Sequence, residues 1–154
     1  MDKHTAYEAA WEELKWRTEG ERDLIANLAN ASAILNEYLE EINWVGFYLF
    51  HGEELVLGPF QGRPACVRIA VGRGVCGTAF GEDRVLRVED VHQFPGHIAC
   101  DQRSRSEIVV PIHHRGRPVA VLDIDSPVLR RFDEADQRAL EALAAHLETC
   151  CDWI

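Results

Sequence analysis

Ile108 to Asp125 reads IVVPIHHRGRPVAVLDID. Two apolar runs, Ile108 to His113 and Pro118 to Asp125, flank Arg115-Gly116, a tight-turn dipeptide, so the stretch folds as an antiparallel hairpin. Upstream, Trp44 to Phe50 reads as a strand, His51-Gly52 as its turn and Leu55 to Pro59 as the return strand. Val67 to Val71 and Val85 to Val88 add short strands, with one or two helical turns between them over Val75 to Gly81. Leu24, Leu28, Leu35, Tyr38 and Ile42 recur at helical spacing behind the capping-box pattern Thr18-Glu19-Gly20-Glu21, which predicts one long helix over 18–41. Asp133 caps a last helix whose buried stripe is Leu140, Leu143, Ala144 and Leu147. The order of elements predicts an α+β fold, one domain over 1–154, with a central antiparallel β-sheet and the N- and C-terminal helices packed on one face.

The chain has 154 residues, enough for one domain with a core that needs no staples. Its net charge of -10 disfavours nucleic acid and anionic membrane, both of which select a basic face. No apolar stretch is long enough to cross a bilayer, and the N-terminal residues have no signal-peptide apolar region, so the expected location is cytoplasmic. There, the five cysteines are expected to rest as thiols. A small ligand or a protein partner remains, and the oligomeric state is left open, a homodimer included.

Three of the cysteines fall in loop-like sequence: Cys66, Cys76 and Cys100. Cysteines that only fill space usually sit inside strands and helices, whereas exposed, ionisable ones do redox work. Cys100 lies in a long loop over 89–106, and a loop of that length in a compact domain tends to be functional. The hairpin contributes acids. Asp123 and Asp125 share one face of a strongly apolar strand, and Glu107 opens the strand before it. Solvation at a strand end accounts for one such acid. Three beside a cysteine loop point to a pocket, because clustered carboxylates raise one another's pKa. Trp44, Gly46 and Tyr48 share parity on the first strand, as core packing or as a pocket wall in which Gly46 leaves room for a ligand between the rings.

Other patterns carry less. Gly72 to Gly77 spells G-x-G-x-x-G, but the next strand begins too soon for a dinucleotide-binding unit, so the glycines read as tight turns around a short helix. Cys66, Cys76, His92, His97 and Cys100 are chemically suited to zinc, yet their spacing matches no paired ligand pattern, and no metal is expected. His97 could lower the pKa of Cys100 or only hydrogen-bond the loop. Cys150 and Cys151 read as helix packing with a frayed end, since neighbours in sequence do not face each other on a helix.

The segments NWVGFY (43–48), LGPFQG (57–62), PAC (64–66), GRGVCGTA (72–79), VEDVHQFPGHIACD (88–101), SEIVVP (106–111) and VLDIDS (121–126) resemble the free methionine-(R)-sulfoxide reductases, which are stand-alone GAF domains. The resemblance spans about 40–130, and both flanking helices fit it. It implies that Cys100 is the catalytic cysteine, Cys66 the principal resolving cysteine and Cys76 a third cysteine of less settled role. It implies that Glu107, Asp123 and Asp125 bind substrate and that Trp44 and Tyr48 wall the pocket. The implied substrate is free methionine sulfoxide, the implied reductant is thioredoxin or a similar dithiol, and no cofactor is implied. Arg103 and Arg105 depart from the small polar residues expected after Cys100, which bears on the electrostatics of the loop. The competing reading is a GAF module that senses a small molecule and acts through a partner protein.

Overall fold

The computed structural model describes residues 1–97 and 100–153. Helices α1 (Lys3–Thr18) and α2 (Leu24–Tyr38) lead into strands β1 (Trp44–His51), β2 (Glu54–Gly62) and β3 (Arg68–Ala70). Helix α3 (Gly74–Glu82), β4 (Leu86–Val88), a 3-10 turn (Val91–Gln93), β5 (Ser106–His114), β6 (Arg117–Ser126) and α4 (Glu134–Cys150) follow. The six strands form one sheet in the order β3-β2-β1-β6-β5-β4, with every pairing antiparallel.

The hairpin that decides the architecture is β5–β6. Its turn residues Arg115 and Gly116 both have positive φ, the backbone of a two-residue turn that matches strand twist. Alternation then sorts the side chains. Ile108, Val110, Leu122 and Ile124 point to the face covered by α1, α2 and α4, where they join Val45 and Phe47 in the main core. Full burial of each such side chain contributes about 1.5–3 kcal/mol. Val109 and Val121 point to the opposite face, where α3 packs with Leu55, Val75 and Phe80. The terminal helices thus share one face as expected, and α3 packs on the other.

The helix expected over 18–41 is the shorter α2, and α1, which the pattern did not announce, precedes it. Thr18 ends α1, its Oγ1 donating back to the Leu14 carbonyl at 2.8 Å, and Asp23 caps α2 by accepting from the Ala26 N–H at 2.9 Å. The capping-box pattern at Thr18 therefore falls at a helix end, and Ile42 lies beyond the helix it was counted in. Helix α1 is tied to α4 by Asp136, a fully buried carboxylate that accepts from Tyr7 Oη (2.7 Å), Lys3 Nζ (2.7 Å) and Arg131 Nη1 (3.2 Å). The same residue closes a capping box with Asp133, so the expected cap of α4 is present with its reciprocal partner. No helix among the described residues is long and apolar enough to cross a membrane.

Candidate active site

Strand register assembles the site row by row on the α3 face. Trp44 of β1, Asp125 of β6 and Glu107 of β5 stand in one row across three strands. Gly46, Asp123 and Val109 form the next row, and Tyr48 and Val121 the one after. Three acids from two adjacent strands are thus neighbours with a tryptophan beside them. They line a cavity of about 50 Å³ together with Arg73, Cys76, His97 and Cys100.

The acids are crowded and poorly solvated. Glu107 is 6% exposed and Asp123 5%, while Asp125 is half-buried. Burial pushes Glu107 well above its ordinary pKa, and the charges of Asp123 and Asp125 add to the effect. Asp125 is also raised well above its ordinary value, by burial first and then by Asp123. Burial raises Asp123 too, but hydrogen bonds from Glu107, Cys76 and Asp125 oppose it. Asp123 is therefore the member least disfavoured as a carboxylate, and Glu107 and Asp125 are the ones pushed further toward the protonated form. Asp123 Oδ1 is buried without a hydrogen-bond partner among the described residues.

A disulfide joins Cys66 and Cys100, with Cα atoms 5.7 Å apart across 34 residues of chain. Cys100 lines the acidic cavity, so this bond lies at its wall. The aromatics hold the Cys66 side of the bond. Tyr48 Oη donates to the Cys66 carbonyl at 2.9 Å, and Trp44 Nε1 donates to the Arg63 carbonyl at 3.2 Å. Both rings line the cavity, and they also tether the loop that carries Cys66. Of the GHIACD run, Ile98 and Ala99 lie outside the described residues.

Gly46 does not leave room for a ligand. The β1–β2 register shifts between Gly46 and Tyr48, and a Cβ at position 46 would collide with Phe60 Cβ and the Pro59 carbonyl. Phe60 occupies that space and stacks on Trp44 with ring centroids 5.2 Å apart. His97 lines the cavity beside Cys100, but burial and then the neighbouring His92 lower its pKa, which favours the neutral ring over a cation that could stabilise a thiolate.

Arg103, a departure from the family pattern, clamps the loop. It donates to Asp101 through Nε (3.2 Å), Nη2 (2.9 Å) and its backbone N–H (2.9 Å). With help from Asn43 Nδ2 at 3.0 Å, this holds the Asp101 carboxyl down at about 2, the Arg103 hydrogen bonds being the main cause. Arg105 fixes the loop through its backbone, donating to the Ser126 carbonyl at 2.7 Å.

Asp101, Ser104 and Arg73 are lining residues that reading the chain did not single out. Arg73 was visible only as filler in the glycine pattern. It is the N-cap of α3, which has no side-chain cap there, and Arg73, Gly74, Val75 and Cys76 at the start of the helix all line the cavity. The glycine run builds no dinucleotide unit: α3 is nine residues long and β4 pairs antiparallel with β5. Cys150 ends α4 and Cys151 is extended, which brings their sulfurs to 3.8 Å on the opposite side of the sheet from the acids.

The GAF domain family model matches residues 22–150. The free methionine-R-sulfoxide reductase of Escherichia coli is 57% identical over 129 residues, which are 84% of this chain and 78% of that protein. The chain belongs to the free methionine-R-sulfoxide reductases. Solved structures agree. The reduced form of the Staphylococcus aureus fRMsr superposes with a TM-score of 0.91 at 53% identity and covers 94% of each chain. The free methionine-R-sulfoxide reductase of Neisseria meningitidis, in complex with its substrate, gives a TM-score of 0.94 at 47% identity and covers 97% of this chain and 90% of that one. The family is one of oxidoreductases built on a single GAF domain.

Proposed function

We propose that this chain reduces free methionine-R-sulfoxide to methionine, with Cys100 as nucleophile and Cys66 as resolving thiol. One observation carries the reading: a Cys66–Cys100 bond at the wall of a cavity that also holds three crowded acids. In the reduced protein the Cys100 thiolate attacks the sulfoxide sulfur while a protonated acid delivers its proton to the oxygen. Methionine leaves and Cys100 becomes a sulfenic acid. The Cys66 thiol then displaces the sulfenic oxygen, which departs as water, and the disulfide forms. An external dithiol, thioredoxin by class, reduces that bond by exchange and is itself oxidised.

Glu107 and Asp125, which favour the protonated form, are the proton donors in this scheme. Asp123 keeps its charge and takes the substrate ammonium through the unpartnered Oδ1. Arg73 and the start of α3 suit the substrate carboxylate. A methionine sulfoxide inside a peptide has neither terminal charge, so this division of labour selects the free amino acid.

The test is turnover. Purified, reduced protein with free L-methionine-R-sulfoxide and a dithiol should form methionine and oxidised dithiol in equal amounts. A ligand-sensing module would bind the amino acid and form none, and that result would overturn the proposal.

A further inference from the structure

Cys76 is a buried thiol that neither step of the proposed cycle uses. It projects from α3 toward the acids, with Sγ 3.9 Å from Glu107 Oε2. One ligand atom each from Cys76, Glu107 and Asp123 falls within 4.8 Å of the other two, and all three residues are buried. Asp123, which lines the cavity, also keeps a buried Oδ1 without a hydrogen-bond partner among the described residues. An incoming ammonium accounts for the carboxylate but not for the sulfur, since a thiol is a weak hydrogen-bond acceptor. A thiolate with two carboxylates is instead a donor set for a borderline-soft divalent cation.

We propose that this pocket also binds one thiophilic divalent cation, zinc by chemistry, through Cys76 Sγ, Glu107 and Asp123. The ion excludes the amino acid, so zinc inhibits competitively. The competition rests on the proposed function; the coordination rests on the geometry alone.

Tetrahedral zinc needs its S and O ligands about 3.5 Å apart. The Cys76–Glu107 separation of 3.9 Å is near that value, and no two ligand atoms of the group are more than 4.8 Å apart. Binding displaces the thiol proton and any carboxyl protons, and the ion then offsets two of the three resulting negative charges. The fourth position faces the cavity, where water fits. Calcium and magnesium are disfavoured, because they require six or more oxygen ligands and gain little from a thiolate.

Cobalt(II) serves as the spectroscopic probe, and zinc is titrated calorimetrically, on protein whose Cys66–Cys100 bond is intact. The wild type should bind one cobalt with a thiolate-to-metal charge-transfer band in the near ultraviolet. Cys76→Ser should lose the band and weaken zinc by more than about 100-fold, since even changes behind a ligand cost 10–100-fold. Asp123→Asn, which keeps volume and the thiol, should retain the band and weaken zinc by at least about tenfold, which covers the case in which Cys76→Ser does not fold. In single turnovers of reduced protein, zinc should slow the reaction at low sulfoxide and not at saturation. An unchanged band in folded Cys76→Ser would place the ion elsewhere and overturn the proposal, as would unchanged zinc affinity in Asp123→Asn. A protein that binds cobalt through Cys76 but never forms methionine would overturn the reductase reading and leave the metal site standing.

Discussion

Asp123→Asn separates substrate binding from chemistry. Asparagine keeps the volume of a side chain that is only 5% exposed and removes its charge. If Asp123 holds the ammonium, the loss is that of a charged hydrogen bond, about 1.5–3 kcal/mol, which is roughly a 10- to 150-fold rise in KM for the free sulfoxide. A second effect follows from the crowding. The Asp123 charge helps hold Glu107 and Asp125 above their ordinary values, second only to burial in each case, so removing it lowers both. An acid that must be protonated then loses its proton at lower pH, and the alkaline limb of kcat moves in the acid direction. The assay is steady-state kinetics across pH on free methionine sulfoxide, with N-acetyl methionine sulfoxide as the control that has no ammonium. Wild type should discriminate strongly against the control, and Asp123→Asn should discriminate far less. An equal loss on both substrates, or no movement of the alkaline limb, would refute the assignment and leave Asp123 as a structural member of the strand.

Cys66→Ser should still release one methionine per enzyme but lose dithiol-driven cycling, checked by comparing single-turnover yield with the steady-state rate. Asp136→Ala strips the partner from Lys3, Tyr7 and Arg131 and breaks the capping box, so it should cost about 3–5 kcal/mol in urea unfolding with little change in KM. His113 bridges Asp83 (2.6 Å) and Glu148 (3.1 Å). Burial opposes its charge, but these two carboxylates outweigh burial and raise its pKa. A raised folded pKa stabilises fully below the unfolded value of about 6.5 and is lost as pH rises through the folded value. The Tm gap between wild type and His113→Gln should thus be widest near pH 6 and shrink toward alkaline pH, with less than about 1 kcal/mol at stake for each partly exposed pair.

The hairpin over Ile108 to Asp125 was legible because a period-2 pattern with a glycine turn has one reading, and that reading already placed Asp123 and Asp125 on one face. Helix α4 was legible for the same kind of reason, a cap followed by a leucine stripe. Helix α1 was not, because its buried side is mostly small, with Ala6 and Ala10 beside Tyr7 and Leu14, and alanine leaves no amphipathic trace. The boundary of α2 was misplaced because Thr18 and Asp23 are both good caps, and only packing decides between them. Gly46 misled in another way. A missing side chain signals close approach, but the sequence does not say of what, and here it is Phe60 and not a ligand. The pairing of Cys66 with Cys100 was not readable from spacing and came from the resemblance alone. Arg73 was hidden because a charged residue between two glycines is ordinarily a solvated loop residue.

The central claim is that Cys100 attacks sulfur and Cys66 closes the cycle over the acidic cavity. It is tested most directly by treating fully reduced protein, freed of reductant, with excess free methionine-R-sulfoxide, then counting methionine and mapping the cysteine peptides. The account predicts one methionine per chain, a Cys66–Cys100 peptide in the same yield, and no methionine from Cys100→Ser. Methionine from Cys100→Ser, or a bridge made mainly through Cys76, would contradict it.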